Sequence, residues 1–143
     1  MTAKQASYTL DSTLDTVNSA EERATRFAIE SGLSEDEVMS IGMAVREAAV
    51  NAVLHGNAYD PAKKVTLELK SNSKDLTIAI KDQGKGLDVA SIPDPCAPEN
   101  LLKQSGRGIF LMRSLMDEVQ ISPSQTGTEV KLIKHIPPKS GDR

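Results

Sequence analysis

Between Lys64 and Ile80 the chain alternates apolar and polar residues twice over. Val65, Leu67 and Leu69 are interleaved with Lys64, Thr66, Glu68 and Lys70, and after the polar stretch Ser71-Asn72-Ser73-Lys74-Asp75 the pattern resumes at Leu76, Ile78 and Ile80. A period of two places these apolar side chains on one face of extended backbone. The two segments therefore pair as an antiparallel hairpin with one dry face and one wet face. The dry face has to be covered, which fixes what the helical segments must do.

Two helices precede the hairpin. A short strand-like segment, Tyr8 to Leu10, leads through Asp11 and Ser12 as candidate caps into a polar, alanine-containing helical pattern from Leu14 to Glu30, which Gly32 ends. Ser34 followed three residues later by Glu37 reads as a capping box opening a second helix to about His55, with Gly56-Asn57 as its stop. On that helix Val38, Ile41, Val45, Ala48, Ala49 and Ala52 share one stripe, and Met43, Val50 and Leu54 flank the other side, so it is expected to be largely buried. Glu47 and Asn51, four apart, lie side by side opposite the main stripe, next to Ser40 and Ala44.

After the hairpin, Leu87 to Ser105 carries three prolines and is flanked by Gly86 and Gly106, which reads as a long loop acting as a lid. Gly106-Arg107-Gly108 then opens a helix through about Glu118. Two strands close the chain, Val119 to Ser122 and Thr128 to Ile136, around a turn at Ser124 to Gly127, and Pro137 to Arg143 is expected to fray. Strands segregated from helices indicate an α+β fold, with helices on one face of a mixed, mainly antiparallel sheet.

Composition narrows the function. At 143 residues the chain is expected to form a single domain with an ordered core from about residue 8 to 136. Seventeen basic against twenty acidic residues give a net charge of −3 without a dense basic block, which disfavours direct binding of nucleic acid or of an anionic membrane. Four aromatics and no Trp remove stacking platforms, so a planar ligand would be packed by aliphatic side chains and methionines. The single cysteine, Cys96, excludes an internal disulfide and is assigned no role. The N-terminus has no apolar signal region, so a soluble, cytoplasmic protein is expected.

Four short elements carry polar chemistry. Glu47 and Asn51 fit an ordinary surface pair, or a site in which the Asn oxygen ligates Mg²⁺ whose other ligands are water and phosphate. His55 fits a phosphate contact or a structural histidine equally. Asp82-Gln-Gly84-Lys-Gly86 is either a glycine turn at a strand end or a carboxylate for an exocyclic amine, with glycines admitting a flat ring. Gly106-Arg107-Gly108-Ile109 is either a helix cap and hinge or an anion site where free N–H groups and the helix dipole meet polyphosphate, with Arg107 clamping an oxygen. Gly127-Thr128 is a hairpin turn or places a hydroxyl beside a purine. Neither the Walker A nor the dinucleotide-binding fingerprint is present.

Taken in order, these elements resemble those of the GHKL ATPase/kinase superfamily, and within it the small anti-sigma factor serine/threonine kinases. Glu47-x3-Asn51-Ala-x2-His55-Gly56 looks like the family's N-box, Asp82-x-Gly84-x-Gly86 like its first glycine box, Gly106-Arg107-Gly108-Ile109 like its second, and Gly127-Thr128 like its adenine-side motif. The resemblance spans about Tyr8 to Ile136 and implies the Bergerat fold, a two-layer α/β sandwich. It implies that Asn51 binds Mg²⁺, that Asp82 reads the adenine amine of ATP with Thr128 assisting, and that Gly84 and Gly86 line the base pocket. Gly106, Arg107 and Gly108 would cover the phosphates, and Glu47 would act as general base. The implied acceptor is a serine or threonine on a STAS-type anti-anti-sigma protein; a sigma factor and a second copy in a homodimer are the other implied partners. Two alternatives stand beside this reading: a nucleotide-gated regulator that only grips partners, and a switch kinase of a STAS scaffold that binds no sigma factor. Histidine kinases and transducer ATPases of the superfamily need further domains for which a chain of this length is expected to lack room.

Overall fold

The alternating runs become neighbouring strands inside the sheet, and the segments around them supply one more interior strand and both edges. The computed structural model describes residues 4–84 and 108–136. In chain order it contains β1 (Lys4–Asp11), α1 (Leu14–Glu30), α2 (Glu35–Val50), a π-helical turn (Asn51–Gly56), β2 (Lys64–Ser71), β3 (Asp75–Lys81), α3 (Gly108–Leu115), β4 (Glu118–Ser124) and β5 (Gly127–His135). The five strands form one sheet in the order β1-β2-β3-β5-β4. Every pairing among the described residues is antiparallel, so the parallel component that a mixed sheet would have does not occur there.

Register follows the apolar pattern. Leu67 faces Ile80 and Leu69 faces Ile78 across β2 and β3, and Ile78 faces Leu132 across β3 and β5, so all five lie on one buried face. A slip of one residue would send them to solvent. Ala20, Ala24 and Phe27 of α1, Ile41, Val45 and Ala48 of α2, and Met112 of α3 close over that face. The small side chains of the two long helices let them approach the sheet closely, in keeping with the dense packing of protein interiors. The other face stays wet: Glu68, Lys70, Thr77, Gln120, Glu129 and Lys131 surround a shallow groove of about 390 Å³.

Helix ends show where local sequence rules hold. The capping box forms: Ser34 Oγ accepts from Glu37 N–H at 3.2 Å, and Ser34 N–H donates to Glu37 Oε1 at 3.0 Å. Such a cap stabilises a helix by about 1 kcal/mol. At α1 the cap position belongs to Thr13 instead of Asp11 or Ser12, and its side chain accepts no bond from a first-turn backbone N–H. Ser12 is already engaged, donating its hydroxyl to Lys63 O at 2.6 Å.

Three further expectations are corrected. The second helix does not remain α-helical to His55 but widens into the π-helical turn at Asn51. Its Met43 and Leu54 are exposed, because the helices and sheet cover the opposite side only. The last helix ends at Leu115, since Asp117 N–H already donates to Ile133 O at 3.0 Å and commits the chain to the sheet. Its expected first residues, Gly106 and Arg107, the loop with Cys96, and the tail after Ile136 lie outside the described residues.

Candidate functional site

The site collects where β3 ends, β5 begins and the π-helical turn closes. Asp82 follows β3 directly and is 7% exposed. Its N–H donates to Thr128 O at 3.0 Å, which extends the β3–β5 ladder by one bond beyond Lys81. Its Oδ1 accepts from Gly84 N–H at 3.0 Å and from Thr128 N–H at 3.1 Å. Both protein donors thus share one carboxylate oxygen, which leaves Oδ2 as the oxygen for an outside donor such as an exocyclic amine. Burial pushes the Asp82 carboxyl above the ordinary aspartate range; the two backbone bonds and the positive charge of Lys63 pull the other way without cancelling it.

The backbone here leaves no room for side chains. Gly127 has φ +146°, a conformation that L residues avoid, and a Cβ on it would collide with Asp82 O. A Cβ on Gly56 would strike the Asp82 carboxylate, and one on Gly84 would strike Gly56 O. Three segments far apart in sequence therefore meet backbone to backbone around one carboxylate.

Asn57, immediately after the π-helical turn, is the buckle of this region and is 1% exposed. Its Oδ1 accepts from Gln83 N–H at 2.8 Å, while its Nδ2 donates to Ser12 Oγ at 2.8 Å and to Lys64 O at 3.0 Å. Gln83 returns the favour to the next strand, accepting from Lys64 N–H at 2.6 Å through Oε1. The start of α1, the turn after α2, the start of β2 and the residue beside Asp82 are tied together by one amide. The sequence reading took Asn57 only as part of a helix stop; an Asn directly after the glycine that ends a buried helix, with an Asp-x-Gly downstream, is the signal that could have found it. The neighbouring Ala58 and Tyr59 both have positive φ, at 50° and 60°, and such strain clusters at functional sites.

Glu47 marks the second half of the site. Its carboxylate abuts Gly108, the first residue of α3, so closely that a Cβ there would lie 2.6 Å from Oε2. The positive end of a helix dipole favours a carboxylate at this position. Asn51 lies between the two halves, one turn after Glu47 and at the head of the π-helical turn that leads to Gly56. From Glu47 to Gly56 the helix advances roughly 12 Å. The chain widens to π geometry within that span, a feature often found at functional sites.

The structure thus brings Asp82, Gly84 and Thr128 together at one end and Glu47 with Gly108 at the other, with Asn51 between them. Gly86, Gly106 and Arg107 fall outside the described residues, as do the side chains of His55 and Ile109. Among the described residues no group of three His, Cys, Asp or Glu side chains is placed to hold a metal. A single amide oxygen with one carboxylate nearby suits a hard cation that keeps its waters and draws its remaining ligands from phosphate.

Comparison with known proteins identifies the family and the fold. Residues 10–134 match the family of the histidine kinase-like ATPase domain. Among curated relatives, an anti-sigma F factor of Anoxybacillus flavithermus is 38% identical over 106 residues, covering 71% of each chain. The serine-protein kinase RsbW of Bacillus licheniformis is 32% identical over 111 residues, 73% of this chain and 69% of that one. Among solved structures, the RsbU and RsbW domains of a Mycobacterium tuberculosis protein superpose with a TM-score of 0.67 at 19% identity. That match covers 95% of this chain but only 34% of the longer protein, and it speaks for the fold.

Proposed function

The chain belongs to the anti-sigma factor kinase family of histidine kinase-like ATPases, and from that premise we propose that it passes the γ-phosphoryl group of ATP to a serine or threonine of a STAS-type anti-anti-sigma protein and holds a sigma factor in the other state of the switch. The observation that carries the reading is the pairing of two unlike carboxylates on one nucleotide-length stretch. Asp82 is buried and held by backbone donors, as recognition of a base amine requires, while Glu47 is half-buried on α2 against the first residue of α3.

In this reading Asp82 accepts from the adenine amine through Oδ2, Thr128 lies beside the base, and Gly84 and Gly86 admit the ring without collision. Gly106, Arg107, Gly108 and Ile109 cover the phosphates, with Arg107 on an oxygen of the transferred group. Asn51 would hold Mg²⁺, which supplies charge neutralisation on the phosphates. Glu47 orients the acceptor hydroxyl and takes its proton, a contribution of about 10² to 10⁴ in rate. Positioning and charge account for most of phosphoryl-transfer catalysis, so this set of groups is sufficient in kind.

We place the activity in the cytoplasm; among the described residues no helix is long and apolar enough to cross a membrane. Self-association as a homodimer and a single folded unit over residues 1–143 belong to the same proposal. The competing reading, a nucleotide-gated regulator without transfer, gives Glu47 no task. The deciding experiment is incubation with Mg·ATP and a STAS-domain protein, followed by mass spectrometry for phosphoserine or phosphothreonine. Transfer by the wild-type chain and its loss in Glu47→Ala, with ATP still bound, is the expected result; transfer that survives the substitution removes Glu47 as the base.

A further inference from the structure

Gly108 is a glycine that its own backbone does not require. Among the described residues the glycines with positive φ are Gly32 and Gly127, so the conformation at 108 is open to any L residue. What the position lacks is room in one direction. The three atoms nearest to a Cβ built on Gly108 all belong to Glu47: Oε2 at 2.6 Å, Cδ at 3.0 Å and Cγ at 3.2 Å. Gly108 is buried, and Met112, four residues on and on the same face of α3, is wholly buried in the core. Because α3 is anchored in this way against α2, the main chain at 108 is a fixed wall. The Glu47 side chain beside it has three torsions to settle.

We propose that Gly108 is a positioning residue for the general base, an inference that rests on the kinase reading of Glu47. Its bare Cα lets the Glu47 carboxylate lie against the start of α3 and fixes the direction in which that carboxylate points. Asp82 takes its direction from two backbone N–H donors, and the wall at Gly108 does the corresponding task for Glu47. Ordinary van der Waals contact begins at 3.4 Å, so a methyl at 108 would force Oε2, 2.6 Å away, to retreat by about 0.8 Å. The end of a glutamate yields to such pressure more readily than a helix packed into the core. A misplacement of about 1 Å can cost about 100-fold in rate. The methyl therefore displaces the base, while Asp82 and its partners at the other end of the site keep their arrangement.

The test is a double-variant cycle with Mg·ATP and a purified STAS-domain protein as acceptor. Gly108→Ala is introduced into the wild-type chain and, separately, into Glu47→Gln. In the wild-type background kcat should fall about 10- to 100-fold, with KM for the acceptor and ATP affinity each within about twofold and the melting temperature unchanged. In Glu47→Gln, where the base is already gone, the same substitution should change the residual rate less than about twofold. An equal loss in both backgrounds, or a loss made good by saturating ATP, means that residue 108 acts on the phosphates and not through Glu47, and overturns the proposal. If Gly108→Ala transfers phosphate with the wild-type kcat, the positioning role is wrong and the kinase reading stands. A measurement on the unaltered chain covers a failure of Gly108→Ala to fold: without nucleotide, a proton NOE should connect Gly108 Hα with Glu47 Hγ, and its lack in the folded protein ends the proposal. If wild type transfers nothing to any STAS protein, the kinase reading fails and this role of Gly108 with it.

Discussion

The two halves of the site are built on opposite principles. Around Asp82 nearly every polar atom is spoken for: backbone donors hold Oδ1, the Asn57 amide ties the neighbouring peptide to three other segments, and glycines at 56, 84 and 127 let main chains touch. Around Glu47 there is a carboxylate, a helix end and exposed apolar side chains. One half is preorganised for a rigid, unchanging ligand. In the proposed reading, the other meets a partner that brings its own surface. Preorganisation lowers the ordering cost of binding, so recognition of the nucleotide and reaction with the acceptor should respond to different substitutions.

The sharpest way to break this division is Glu47→Ala, for which transfer to the acceptor should fall by about 10² to 10⁴ while ATP affinity, read by calorimetry, changes less than about twofold. A parallel loss of ATP binding would merge the two halves into one. Asp82→Asn probes the other side. Loss of the charged acceptor should weaken ATP binding by about 10- to 100-fold, the worth of a hydrogen bond to an ionised group. The same change should leave the melting temperature equal or higher at pH 7. The sign follows from the raised carboxyl pKa: folding disfavours the ionised form, so the charge of Asp82 lowers stability once pH exceeds its unfolded pKa, and a neutral isostere lifts that cost. A function gained at the expense of stability is what a recognition carboxylate should display.

Local elements of this molecule were readable from sequence and its convergences were not. The hairpin of β2 and β3 and the capping box at Ser34 depend on residues within a few positions of each other, and both formed as read. The bond from Thr128 N–H to Asp82 spans 46 residues and exists because β3 and β5 pair, a choice no local pattern announces. Resemblance to a family supplied the pairing of these motifs; periodicity could not. The π-helical turn is not legible because no residue of Asn51–Gly56 distinguishes π from α geometry by propensity, and its widening answers to the surrounding packing. The helix that carries Met43 and Leu54 on its flank reads as largely buried because it is rich in apolar residues, and that reading fails on a face that no element covers among the described residues.

Asn57→Ala tests whether the buckle belongs to the nucleotide half alone. Removing three hydrogen bonds from a buried amide should cost about 1–3 kcal/mol of stability. ATP affinity should fall because the Gln83 peptide no longer fixes Asp82, and kcat at saturating ATP should hold within about twofold. A fall in kcat instead would mean that the two halves communicate through the π-helical turn.

The smallest effect is expected farthest from both halves, where β3 begins and β5 ends. There His135 Nδ1 meets Asp75 Oδ1 at 2.7 Å, and Glu118 Oε2 lies 3.9 Å from Nε2. The hydrogen bond to Asp75, aided by the negative charges of Asp117, Asp75 and Glu118, holds the imidazole pKa above its ordinary value. A raised folded pKa means that the charged histidine contributes stability in full below the unfolded pKa, about 6.5, and loses it as pH rises through the higher folded value. Thermal melting of wild type should therefore decline slightly more than that of His135→Gln from about pH 6 to pH 8, and the difference should shrink with added salt because the group is exposed to solvent. ATP affinity should follow the same pH curve in both proteins, since the β3 strand separates His135 from Asp82 by its whole length. A His135-dependent change in nucleotide binding would show that the sheet transmits charge effects between its ends, and the independence of the regions would then have to be given up.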